Sequence, residues 1–217
     1  MIRNTMIRRI QLAPIVLALG LVSGSAHAAL QGRDLNGSVG SFEAYYDTDL
    51  NITWLANANV NGPMNWAAAN TWAANLSFTN GISVYDNWRL PTALNQDGTG
   101  PCFGYNCTGS EMGHLFYSEL GGTALQSILT SADPDLAKFT NLQATNYYWS
   151  GTEYAPNTGY AWRFYFGYGP QDAGTKGNGF YALAVSPGDV AAVPEAQTYA
   201  LMLAGLGLIA WRARRRG

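Results

Sequence analysis

Between residues 29 and 194 the chain carries thirteen carboxylates, one histidine and two cysteines. These are the side chains that could do chemistry once the two apolar ends are set aside. A Ser-His-Asp relay would have to use His114, because His27 belongs to the leader described below, yet no serine stands in a nucleophile-elbow context. A histidine-rich zinc site is excluded by count. His114 falls between Met112 and Leu115 in a helical pattern, the setting of a helix-surface or half-buried side chain. Paired carboxylates run glycoside hydrolysis, but thirteen acids always offer pairs, and none stands out. Oxygen ligands alternate at Asp47, Asp49 and Asn51, as in a calcium loop. Ile52 stands where an EF-hand needs glycine, and no bidentate glutamate closes the loop, so the plainer expectation is an acidic turn. No catalytic residue and no cofactor is expected; calcium at that turn is the candidate ion.

Cys102 and Cys107 flank Phe103-Gly104-Tyr105-Asn106. An even pair in an oxidising compartment reads as a disulfide, and Gly104 gives the short ring freedom to close. The chain-entropy model values such a ring at roughly 2 kcal/mol. Five Lys and Arg face thirteen Asp and Glu, a net of −8. An acidic body with dispersed cations makes a poor nucleic-acid binder, since phosphate neutralisation supplies most of that affinity. Arg89 and Arg163 sit among tryptophans; ion pairs to Glu111, Glu153 or Asp86, with stacking on Trp88 or Trp162, are the expectation.

Aromatic rings crowd the last third, from Tyr147 to Tyr181. Tyrosine and tryptophan keep a polar end wet and offer a flat apolar face, and sugar rings stack on such faces. Trp149, Tyr154, Trp162 and Tyr165, with Arg163, are therefore the candidate ligand-binding residues. The competing reading is an aromatic core with tyrosines at its rim.

The elements that would position these groups make an α+β domain: two early helices, then an antiparallel β meander. Phe42, Ala44 and Tyr46 alternate, Asp47-Thr48-Asp49 turns the chain, and residues 52–55 are β-rich. Asn65 can cap a helix over 65–76, with Trp66, Ala69, Ala73 and Leu76 at helical spacing. Thr108 or Ser110 can cap a second helix over 110–120, stopped by Gly121-Gly122. Residues 160–166 alternate, with Trp162, Phe164 and Phe166 on one face and Ala161, Arg163 and Tyr165 on the other. Turns are expected at 167–170 and 174–179, and a last strand over 180–185. No internal repeat is visible.

The ends read as transit devices. Arg3, Arg8 and Arg9 precede an apolar run over 10–22 and the small-x-small site Ala26-His27-Ala28, which predicts a signal peptide over 1–28. At the other end Val193-Pro194-Glu195 leads into an apolar stretch over 199–211, closed by Trp211, Arg212, Arg214, Arg215 and Arg216. At about 1.5 Å per helical residue the stretch spans roughly 20 Å, short of the ~30 Å hydrocarbon core. It is a transient inner-membrane stop with its arginines on the cytoplasmic side. This tail over 193–217 resembles the PEP-CTERM sorting signal, with Ala196 where a second proline is usual. The resemblance implies an exosortase as partner and a Gram-negative, exopolysaccharide-making host, with a cell-surface or matrix destination.

Within 29–192, Ile52-Thr53-Trp54-Leu55, Trp88-Arg89-Leu90-Pro91-Thr92, Glu111-Met112, Tyr148-Trp149-Ser150-Gly151-Thr152 and Ala161-Trp162-Arg163-Phe164 follow in an order that resembles the Lcl C-terminal domain family. The resemblance implies a compact α+β fold with a remote likeness to C-type lectins. It also implies a non-enzymatic adhesion or carbohydrate-binding role, with polysaccharide as partner. Ser186 stands where relatives often carry an arginine. A hydrolase acting on exopolysaccharide and a purely structural matrix component are the alternative functions.

Overall fold

The computed structural model describes residues 30–38 and 40–190, with the isolated positions 203 and 206. The leader over 1–28 and, those two positions apart, the sorting tail over 193–217 lie outside the described residues. Strand β1 (Gln31–Arg33) pairs antiparallel with β2 (Ala44–Asp47), which turns through Asp47-Thr48-Asp49 into β3 (Ile52–Leu55). All four residues of β3 are buried, because both of its edges are paired and both of its faces are covered.

Helix α1 (Trp66–Ala74) starts where the sequence sets it: the Asn65 side chain accepts a hydrogen bond from the Ala68 N–H at 2.9 Å. Ala69 and Ala73 pack inward, while Trp66 stays half-buried and its indole donates to the Ser150 carbonyl at 2.8 Å. A two-strand hairpin follows, β4 (Phe78–Thr79) and β5 (Val84–Tyr85).

The second helix is capped by Ser110, which accepts from the Gly113 N–H at 3.2 Å. It is α-helical over one turn, α2 (Glu111–His114), and then widens into a π-helical turn, Leu115–Glu119. The Leu120 N–H bonds the Leu115 carbonyl at 2.9 Å, the i to i−5 spacing of that wider helix. Gly113 is needed at the start, since a Cβ there would meet the Cys107 carbonyl oxygen at 1.9 Å.

The meander is β6 (Tyr148–Glu153), β7 (Tyr160–Phe164) and β8 (Gln171–Thr175), all antiparallel. Its third strand fills the gap between the turns expected at 167–170 and 174–179 and takes in the first two residues of the second, where the sequence predicts no strand. Asp172, Ala173 and Gly174 have weak strand propensity, and pairing with β7 overrides it. The last strand is also displaced from 180–185: β9 (Val185–Pro187) pairs with β3 and completes the first sheet in the order β1-β2-β3-β9. The chain end thus returns to the N-terminal sheet instead of extending the meander.

The outcome is the mixed α+β architecture expected from the sequence. Two packed clusters form its interior, one around Trp54, Phe116, Tyr148, Phe164 and Phe166, the other around Trp88, Trp149 and Phe180. Among the described residues no helix is long and apolar enough to cross a membrane.

Candidate functional site

Cys102 and Cys107 form the expected disulfide, and the loop they close is pinned to the meander. Gly104 exchanges both backbone hydrogen bonds with Gln171 at the start of β8, each 2.8 Å. The buried Gln171 side chain donates to the carbonyls of Cys102 (2.8 Å) and Ala93 (3.1 Å). Asn106, at φ 59°, donates its N–H to the Tyr117 hydroxyl, which in turn donates to the Gly169 carbonyl at 2.8 Å. With its backbone fixed in this way, the loop turns two rings outward. Phe103 is 70 % exposed and Tyr105 43 % exposed. Phe103 stands edge-on against Trp162 at 6.0 Å, and Tyr154 meets Trp162 from another side at 5.5 Å.

Beside this loop lies a cleft of about 500 Å³ with Asn95, Gln96, Asp97, Asn106 and Thr108 in its wall. Gln96 and Asn106 present exposed amides. Asp97 accepts from the hydroxyl and the N–H of Thr99, and these bonds hold its carboxyl below the usual carboxylate range. A second cleft of about 420 Å³ shares Asn95, Gln96 and Gly109 and runs on to Arg89, Thr92 and Glu111. Together they make a groove of mixed character, with amides, hydroxyls, the carboxylates of Asp97 and Glu111 and the Arg89 cation set beside the apolar Leu50, Ile52 and Leu94.

Arg89 and Glu111 form the expected ion pair. Both guanidinium nitrogens donate to the carboxylate, at 2.8 and 2.6 Å. Glu111 also accepts the Thr92 N–H at 2.7 Å, so the extended segment 88–92 is locked to the start of α2. The hydrogen bond to Glu111 raises the Arg89 pKa further. Such a saturated pair reads as architecture.

Arg163 pairs with Asp172, a partner outside the expected three, and lies 3.7 Å over the Tyr147 ring and 4.8 Å from the Phe180 ring centre. Tyr165 stacks on Tyr147 at 5.0 Å. Trp162 and Tyr165 project to opposite faces of the meander, as their alternation requires. Trp149 is fully buried, its indole donating to the Met64 carbonyl at 2.9 Å, so it offers no surface to a ligand. Trp162 is 5 % exposed and serves as the backing for Phe103. Of the five ligand-binding candidates, Tyr154 and Trp162 flank the open loop, Arg163 and Tyr165 pack on Tyr147 at the margin of the second cluster, and Trp149 lies within that cluster.

At the acidic turn, Asp47 points inward. One oxygen accepts the N–H groups of Asp49 and Leu50, both at 3.0 Å, and the other accepts the Trp54 indole N–H at 3.2 Å. Asp49 is exposed, and Asn51, at φ 52°, accepts from the Tyr46 hydroxyl at 2.9 Å.

Sequence reading missed Phe103 and Tyr105 as site residues. Their signal was present: two rings inside a six-residue disulfide loop too short to bury them. The groove lining was missed because its residues come from segments that only the fold brings together.

Residues 192–216 match the PEP-CTERM protein-sorting motif. No curated protein matches the chain. The motif marks an exported protein, processed by an exosortase and sorted to the cell envelope.

Proposed function

We propose that this exported protein is a non-enzymatic carbohydrate-binding module, displayed on the surface or in the extracellular matrix of a Gram-negative bacterium, with exopolysaccharide as its ligand. The observation that carries the reading is the stapled loop: two exposed rings, Phe103 and Tyr105, held on a fixed backbone beside a groove of amides. Sugars are bound by stacking their C–H faces on rings while amides and carboxylates take the hydroxyls, and rings on a preorganised loop lose little entropy on binding. The resemblance to the Lcl C-terminal domain family points the same way. Hydrolysis is less well supported. It calls for two carboxylates facing each other across an open cleft, whereas in the groove Asp97 is turned to Thr99 and Glu111 spends both oxygens on Arg89 and the Thr92 N–H.

The test is a glycan array probed with the full chain recovered from its host. Binding to a defined class of polysaccharide, reduced at least tenfold by the double substitution Phe103→Ala and Tyr105→Ala, supports the proposal. Binding untouched by that pair rejects the loop. No binding to any glycan, with self-assembly instead, favours a purely structural matrix component.

A further inference from the structure

Among the described residues one group of three side chains converges with metal-ligand spacing: Asp47, His114 and Glu119, all buried. They come from the last residue of β2, the end of α2 and the end of the π-helical turn. The π-turn brings the last two together. At α-helical spacing, residues five apart point to different sides, whereas the wider turn returns Glu119 beneath His114. His114 Nε2 lies 3.1 Å from a Glu119 oxygen and 4.0 Å from an Asp47 oxygen, and the three ligand atoms fall within 4.8 Å of one another. Ligand bonds of about 2.0–2.2 Å at a tetrahedral angle set two donors of one ion roughly 3.3–3.6 Å apart, and the two histidine separations bracket that spacing, so small side-chain shifts would admit a shared ion.

A second observation points to a ligand. The Glu119 side chain is 2 % exposed, yet its other carboxylate oxygen, Oε2, has no hydrogen-bond partner. A buried carboxylate oxygen left unpaired costs free energy, and a cation bound between these groups would remove the cost. Asp47 has the outer support common around ligands: the Trp54 indole and two backbone N–H groups fix its carboxylate with one oxygen toward His114.

We infer that Asp47, His114 and Glu119 form a binding site for one divalent transition-metal ion of the zinc type, with one nitrogen and carboxylate oxygens as protein ligands. The imidazole selects against calcium and magnesium, which take oxygen ligands. Two carboxylates match the charge of the ion. None of the three residues lines the groove proposed for carbohydrate, and the test is independent of that reading.

The test uses the purified full chain, stripped with a chelator and titrated with Zn²⁺ by calorimetry. The expected result is one ion per chain with micromolar or tighter affinity, no matching response to Ca²⁺, and at least a hundredfold loss in Glu119→Gln. Co²⁺ added to the unaltered protein provides a variant-free readout, with visible d–d bands of a low-symmetry nitrogen–oxygen site that Zn²⁺ abolishes. Absence of one-to-one Zn²⁺ binding below about 100 μM, a featureless Co²⁺ spectrum, or undiminished affinity in a folded Glu119→Gln variant would overturn the inference.

Discussion

Two aromatic groups lie on the meander, and they differ in what their rings have left to offer. In the first, Arg163 covers the face of Tyr147, Tyr165 stacks on the same ring, and Asp172 neutralises the guanidinium. In the second, Phe103 touches Trp162 edge-on, Tyr105 stands beside it on the stapled loop, and amides of Gln96 and Asn106 face water nearby. The first group spends its faces on itself and stabilises the fold. In the second the contacts are edge-to-face, and Phe103 and Tyr105 keep exposed surface available to a ligand. Density of aromatic residues in a sequence does not separate these cases; the partners of each ring do.

The comparison breaks most visibly at Trp162, the ring that backs the open group from the interior. Trp162→Ala should cost about 3–5 kcal/mol, as for other buried tryptophans, measured by urea denaturation, and should weaken glycan binding by unseating Phe103. Replacing Cys102 and Cys107 by serine should lower stability by about 2 kcal/mol and weaken binding as the loop loosens, read by thermal unfolding and the same array. Arg163→Ala should cost about 1–2 kcal/mol through lost stacking and a stranded Asp172, with glycan binding unchanged. The double substitution Phe103→Ala and Tyr105→Ala sharpens the contrast from the other side. Stability should move by less than about 0.5 kcal/mol, as for exposed positions, while glycan affinity falls at least tenfold.

Much of the scaffold was legible in the residues. Asn65 and Gly121-Gly122 punctuate helices as their chemistry dictates, Ile52-Thr53-Trp54-Leu55 is a strand, and the ring between Cys102 and Cys107 closes as its length allows. The Arg89–Glu111 lock was among the pairings expected. Less legible were features created by tertiary contact. Strand β8 runs through Asp172, Ala173 and Gly174, whose propensities argue against it, because β7 supplies the pairing. Strand β9 joins β3, a partner more than a hundred residues earlier, which no local pattern encodes. The π-turn that sets Glu119 against His114 has no sequence signature at all, so a histidine expected at a helix surface or half-buried is in fact buried between two carboxylates. Trp149 and Trp162 looked like equal candidates for a sugar platform; strand alternation fixes relative facing but not which face is covered.

The most direct measurement is a side-by-side titration of one array-identified glycan against the unaltered chain, the Phe103→Ala/Tyr105→Ala variant and a Tyr165→Ala variant. The account predicts at least a tenfold loss in the loop variant and an affinity within twofold of the unaltered protein for Tyr165→Ala. The opposite pattern, with affinity lost at Tyr165 and kept without the two loop rings, would contradict it.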